Sequence, residues 1–304
     1  MLTTSVTLGS LVSRALLDLQ DPATVPLSTT LTGTLAINGT TCSLTDASSV
    51  FVSDVLEIGS ELLLVTAKTS DAVPVLTVAR GYYGSTAVQH TTSEVVYVRP
   101  KYPRIRIAEA IKRSFSRLEA LGLPLVTSAT FRRSTGAKAV VMPATTRDVL
   151  RVGYFAGDGR YWDLDAWEFF DDVPTSKIST GKLLRIPRYV SDTDDLEITY
   201  RIPYRWSSYP NAPGETDTIT MIEGTDELPA VYAAAWILSR REMKRTEIES
   251  AEEWNQGEAS RSGVSGATVR QQWQEFYRML DEARRLTPAP AVHRPYRKMQ
   301  RLTR

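Results

Sequence analysis

The run Leu228-Pro229-Ala230-Val231-Tyr232-Ala233-Ala234-Ala235-Trp236-Ile237-Leu238 constrains the fold of this chain more than any other. A proline in the first turn favours a helix start. A helix that is apolar on every side must be covered on every side, so the chain has to supply other elements that enclose it. The polar continuation Ser239-Arg240-Arg241-Glu242 then marks its emergence into solvent. Three further segments repeat apolar residues every three or four positions, the helical period. Leu8, Leu11, Val12, Ala15, Leu16 and Leu19 form one stripe, which Pro22 stops. Ile105, Ala108, Ile111, Phe115 and Leu118 form a second, from about Pro103 to Leu121, ended by Gly122 and Pro124. Val269, Trp273, Phe276, Tyr277 and Leu280 form a third, opened by the capping pair Thr268 and Gln271. A glycine-rich loop over 257–266 would let the last two helices fold back as a hairpin.

Between these helices the texture is that of strands. Residues 27–100 are rich in Thr, Ser, Val and Gly, with alternating runs such as Thr30-Leu31-Thr32-Gly33-Thr34-Leu35 and a hairpin signal at Asn38-Gly39. They predict a small antiparallel barrel or sandwich. Residues 126–206 predict a second β domain, with dense aromatics at Tyr154, Phe155, Tyr161, Trp162, Trp167, Phe169 and Phe170. The resulting class is α+β. An N-terminal helix (1–26), a central helix (101–125) and a C-terminal helical hairpin (228–286) make a helical core, into which two β domains (27–100 and 126–206) are inserted. A Pro-, Gly-, Asp- and Thr-rich linker (207–227) precedes the hairpin.

The tail over 287–304 differs from everything before it. It holds Pro288, Pro290 and Pro295, then Arg294, Arg297, Lys298, Arg301 and Arg304, with no acid. Too few apolar residues remain to offset the entropy of ordering, so the segment is expected to be extended until a partner surface orders it.

Composition removes several kinds of chemistry. A formal net charge of +1 gives no bulk field for nucleic acid. One cysteine, Cys42, cannot form an intrachain disulfide or a cysteine-rich zinc site. Any histidine-based metal site or triad would need His90, expected in a loop, or His293, in the tail. No run approaches the roughly 20 apolar residues of a membrane span. The N-terminal stripe lacks a preceding basic region and is broken by Arg14 and Asp18, which is unlike a signal peptide. Ser179-Thr180-Gly181-Lys182 fails the phosphate-loop pattern, since Ser176 stands where the first glycine belongs and Leu183 follows the lysine. Ser265 between Gly263 and Gly266 follows no strand, and Ala267 breaks the nucleophile-elbow spacing. The acids Asp158, Asp163, Asp165, Glu168, Asp171 and Asp172 are the best candidates for chemistry, because a glycosidase sets two carboxylates across a sugar that aromatics can stack on. Their spacing fits no calcium loop and shows no oriented base or partner, so a solvated loop beside core aromatics is the favoured reading. No catalytic residue, metal ligand or cofactor is therefore expected. The cations Arg104, Arg106, Lys112, Arg113 and Arg117 beside the central stripe read as a solvated face, with contact to phosphate or an acidic partner as the alternative.

Two stretches resemble a known family. Leu76-Thr77-Val78-Ala79-Arg80-Gly81-Tyr82-Tyr83-Gly84-Ser85-Thr86-Ala87, continuing to His90 and Val95, is similar to an element of tailed-bacteriophage virion proteins. In that element a strand ending in Arg-Gly precedes Gly-Ser/Thr-Thr-Ala and a histidine. The run from Leu228 to Glu242 is similar to the Leu-Pro helix of head-to-tail adaptor (head completion, connector) proteins. The resemblance covers about a quarter of the chain. It implies a helical adaptor-like core and a structural, non-enzymatic virion protein at the head-tail interface, assembled in the host cytoplasm. It further implies an oligomeric ring of this chain, usually twelvefold, that binds the portal protein and a tail, stopper or terminator protein. Genomic DNA would pass through the ring without sequence-specific binding. Portal docking would fall to the C-terminal segment, and within it Arg294, Tyr296, Arg297, Lys298, Met299, Arg301 and Arg304. Subunit packing would fall to Tyr232, Trp236, Trp273, Phe276 and Tyr277. Two other readings stay open: a different tail-completion or tail-tip protein, and a carbohydrate-binding module or glycosidase. The last requires Trp162 and Trp167 exposed on one face.

Overall fold

The structure, a computed structural model, describes residues 3–19, 26–71, 74–132, 139–155, 160–164, 166–186, 194–208, 214–252 and 263–286. Strand β1 (Thr3–Thr7) runs into helix α1 (Leu8–Leu19). Six strands follow: β2 (Ser28–Thr30), β3 (Thr41–Ser43), β4 (Val55–Ile58), β5 (Glu61–Lys68), β6 (Val75–Ala79) and β7 (Val95–Val98). Helix α2 (Arg104–Ala120) leads to β8 (Leu125–Phe131), β9 (Ala139–Val141), β10 (Asp148–Phe155), β11 (Tyr161–Asp163), β12 (Glu168–Phe170), β13 (Leu183–Arg185) and β14 (Asp195–Ile202). Strand β15 (Thr218–Ile222), α3 (Leu228–Glu252) and α4 (Gly263–Leu286) end the order.

The expected helical adaptor-like core with a C-terminal hairpin is not what forms. The chain is a mixed α and β protein with antiparallel sheets throughout, one of them curled as a half-barrel. The physical reason lies in how the helix faces are covered. Helices α1, α2, α3 and α4 share their core with Leu125, Tyr204, Ile219, Met221 and Ile222, which come from strands or strand ends. Strand β15, in the stretch expected to be a linker, pairs along its length with β1. That two-stranded sheet closes one side of the helices. The apolar start of α3 is accordingly enclosed by α1, α2, α4 and strands together, with Leu228, Ala230, Ala233, Ala234 and Ala235 essentially inaccessible. An isolated hairpin would leave most of that perimeter wet.

Local chemistry sets the helix ends. Thr7 accepts the Ser10 N–H at 3.1 Å and caps α1. Gly122, at φ +86°, ends α2, and the Leu123 N–H reaches back to the Leu118 carbonyl at 2.9 Å. The buried stripe of α2 runs Ile107, Ala110, Ile111, Ser114, Phe115 and Leu118, so Ile107 takes the place expected for Ile105.

The first β region is one six-stranded sheet in the order β2-β7-β4-β5-β6-β3. Its two end strands meet through the Leu31–Leu44 bridge and the Thr30–Thr45 hydroxyl contact of 2.7 Å, which curl the sheet around its own apolar core. The turn at Ala36–Gly39 forms, with the Gly39 N–H on the Ala36 carbonyl at 2.8 Å. The hairpin expected there does not, because Leu35 pairs with His90 and β3 with β6. The second β region packs the sheet β11-β10-β14-β8 against β12-β13-β9 over a separate core.

Candidate functional site

The densest polar constellation among the described residues lies inside the first β region. Glu61, at the start of β5, is fully buried, and it is held from several sides. The Arg80 guanidinium grips both of its oxygens, Nε on Oε1 at 2.6 Å and Nη2 on Oε2 at 2.7 Å. The Val88 N–H donates to Oε2 at 3.1 Å, and His90 Nε2 lies 3.0 Å from the same oxygen. The other ring nitrogen of His90 lies 2.9 Å from Glu94, which also accepts the Thr91 N–H at 2.7 Å. Arg80 donates its remaining hydrogens to the carbonyls of Ala36, Gly39 and Val88. Burial alone would raise the Glu61 carboxyl. The Arg80 fork, the Val88 N–H and His90 outweigh it and hold the group below the ordinary carboxylate range.

Sequence chemistry explains the geometry. Arg80 ends β6, and Gly81 turns the chain at φ +64°, where a Cβ would sit 2.9 Å from the Ser85 carbonyl oxygen. Ser85 then accepts the Leu62 N–H at 2.9 Å and so sets the loop against β5. The Arg-Gly, Gly-Ser-Thr-Ala and histidine pattern is thus a clasp. One guanidinium ties the Ala36–Gly39 turn, β5 and the segment leading to His90. His90 and Glu61 have the residue types of a proton-transfer pair, but His90 is only 3% exposed and Glu61 is wholly buried. General acid-base work needs a substrate atom within hydrogen-bond reach of the base, and in this structure the Glu61 oxygens are occupied by protein donors.

The five residues linked to subunit packing gather at the α3–α4 contact. Tyr232, Trp273 and Phe276 stack edge to face at 5.4–5.7 Å between centroids, and Tyr277 lies against Trp273 and Phe276. Phe276 and Tyr232 are buried, Trp236 and Trp273 are partly buried, and Tyr277 is half exposed. Trp273 Nε1–H donates to Ser239 Oγ at 2.8 Å, which satisfies the indole. Trp236 lies between two guanidiniums, Arg113 at 5.1 Å and Arg240 at 4.6 Å from its ring. Arg104 and Arg106 of α2 face Glu215 and Glu109 at 3.2 Å each, so this face is only in part the free cationic surface that its sequence suggests.

Among its described residues, the acidic region shows no paired carboxylates aimed at a common point. Asp163 is bound by the Arg151 fork at 2.7 and 2.8 Å, and Glu168 lies 3.6 Å from Arg185. Asp171 and Asp172 are exposed, and Asp158 and Asp165 lie outside the described residues. Trp167 is buried in the second β core whereas Trp162 is half exposed, so the two indoles do not form one stacking face. Lys182, from the rejected phosphate-loop pattern, donates to the Asp171 carbonyl at 2.8 Å. A cleft of about 300 Å³ opens between β8 and the β1–β15 sheet. Thr3, Thr127, Thr145 and Thr220 hydroxyls and Arg205 line it, without carboxylate or imidazole. It offers hydrogen bonds but no acid-base pair.

Among the described residues no group of His, Cys, Asp and Glu is placed to hold a metal ion, and no helix is long and apolar enough to cross a membrane. His293 and the residues linked to portal docking, Arg294, Tyr296, Arg297, Lys298, Met299, Arg301 and Arg304, lie outside the described residues. Sequence reasoning missed Glu61 and Glu57, the two buried carboxylates among the described residues. Glu57 alternates with apolar neighbours like any surface strand residue, and Glu61 follows a turn, where acids are ordinary. Comparison with protein-family models, with curated proteins and with solved structures finds no match to this chain.

Proposed function

We propose that this chain is a structural component of a tailed-bacteriophage virion, a head-to-tail adaptor that forms an oligomeric ring between portal and tail around the DNA channel. The observation that carries the reading is the clasp. The Arg80-to-His90 stretch, which carries half of the family resemblance, spends its reactive side chains on tying three segments of a β domain together. The Leu228 helix, the other half, is equally committed to scaffold, as the enclosed centre of the largest core. Ring partners would be further copies of this chain, with portal and tail or stopper proteins above and below, and DNA in the lumen held by no base-specific contact. The partly exposed Tyr277 and the Trp236 edge between Arg113 and Arg240 supply an aromatic and cationic surface of the kind enriched in protein interfaces. The carbohydrate-binding reading loses its support with Trp167 buried. Electron microscopy of filled heads with the purified chain added is the test. Rings at the portal vertex are expected. A chain that stays monomeric and leaves portal-bearing heads bare overturns the proposal.

A further inference from the structure

Glu57 is a second buried carboxylate, at 3% exposure, and the clasp does not use it. It stands on β4 of the six-stranded sheet, yet one oxygen accepts the backbone N–H of Arg104, the first residue of α2. The residue before α2 is Pro103, whose side chain makes no capping hydrogen bond. The helix is therefore capped from another part of the fold, where its positive end favours an acceptor. Around this point three parts of the chain converge. The Arg104 guanidinium reaches Glu215 at 3.2 Å. The Glu215 carbonyl in turn accepts the Gly9 N–H of α1 at 2.8 Å, with a gap too tight for a freely placed Cβ. The chain leaves the sheet through Arg99, a non-glycine residue at φ +51°, and enters the central core at Tyr102, which is buried. A cation–π contact, Arg106 at 5.3 Å from the half-exposed Tyr83 ring, adds a further side-chain tie from the sheet region to α2.

We propose that Glu57 is the latch of a hinge, which pivots at Arg99–Pro103 and fixes the six-stranded β region against the helices by seating a carboxyl on the N-terminus of α2. The inference goes beyond the adaptor reading and does not depend on it. The titratable and charged groups facing the latch are Arg104 on α2, Glu215 on the loop before β15 and Tyr97, opposite Glu57 on β7. Burial pushes the Glu57 carboxyl up to about 7, against the pull of the Arg104 N–H and charge, and Glu215 adds to the rise. Opening returns the group to water and to its ordinary value near 4.5. The latched form thus binds the proton more tightly, so it is favoured below about 4.5 and loses ground as pH rises to about 7. The two values bound the change in the latched-to-open ratio at about 300-fold.

The test uses the full chain with spin labels at Val52→Cys and Leu17→Cys, both exposed positions, since Cys42 is buried. Glu57→Ala removes the acceptor and is expected to broaden the label distance or add a longer one at every pH. Glu57→Gln keeps an acceptor oxygen without the titration, so its distance is expected to stay single from pH 5 to pH 8. If the Ala variant shows the unaltered chain's distance, or if both variants shift alike, the latch is wrong. Should the Ala variant fail to fold, hydrogen exchange at Arg104 decides. After correction for intrinsic rates, exchange in the unaltered chain should accelerate between pH 5 and pH 8 and that in Glu57→Gln should not. Equal protection in both at each pH overturns the proposal.

Discussion

Replacing Arg80 by Met keeps most of the side-chain length and removes the fork that neutralises Glu61. The Glu61 side chain is wholly buried and that of Arg80 nearly so, at 8%. The substitution therefore leaves a carboxylate in the interior with only the Val88 and Gly81 N–H groups and His90 to satisfy it. It also takes a donor from the Ala36, Gly39 and Val88 carbonyls, of which Ala36 keeps the Gly39 N–H. Breaking one side of a buried pair costs about 3–5 kcal/mol, because the remaining charge stays desolvated. Amides of the clasp, Leu62, Val88 and His90, should then exchange about 10²- to 10⁴-fold faster, while those at the α3–α4 contact change little. Hydrogen exchange read by mass spectrometry reports both regions in one sample. Arg80→Lys should recover little, since an ammonium cannot grip both oxygens and three carbonyls. The double change Glu61→Leu with Arg80→Met removes the orphaned charge and should recover a large part of the loss. If Arg80→Met accelerates these amides less than tenfold, the clasp does not hold the β region together. The pH dependence has a definite sign. The Glu61 carboxyl is depressed in the fold, so its contribution is present above the ordinary carboxylate value and is lost as pH falls through the folded value.

Phe276 is wholly buried among Tyr232, Trp273 and Tyr277, so Phe276→Ala should cost about 3–5 kcal/mol and shift the tryptophan emission to the red; an unchanged denaturation midpoint would contradict the packing. Asp163→Asn breaks an exposed pair with Arg151 and should cost less than about 1 kcal/mol by denaturant titration, with no loss of any hydrolytic activity on glycans. Trp167→Ala should destabilise by about 3 kcal/mol and Trp162→Ala by much less, and equal effects would show that the second β core is misplaced. Gly81→Ala should lose about 1–3 kcal/mol through its left-handed backbone and the short approach to Ser85, measured by the same exchange at Leu62.

Much of the local structure was legible in the sequence, because it depends on residues close together along the chain. The apolar spacing from Leu8 to Leu19 makes α1, Gly122 ends α2, and the all-apolar run after Leu228 demands the enclosure that it receives. The turn at Gly39 forms because glycine and asparagine suit it locally. Which strands that turn joins was a different matter. Leu35 bonds to His90 and β3 to β6, and a choice between partners of similar alternation depends on how the whole sheet curls. The same holds for the helix faces. A stripe states that it must be buried but not by what, and here the sheet of β1 and β15 takes part of the role expected of helices alone. The offset from Ile105 to Ile107 on α2 follows from the direction in which that helix meets its neighbours. The buried carboxylates lay beyond sequence reasoning entirely. Glu57 and Glu61 each stand two residues from Gly59, in a setting that reads as a solvent-exposed turn. Their partners, the Arg104 N–H and the Arg80 fork, come from elsewhere in the chain, and only folding brings a donor near enough to make burying a charge tolerable.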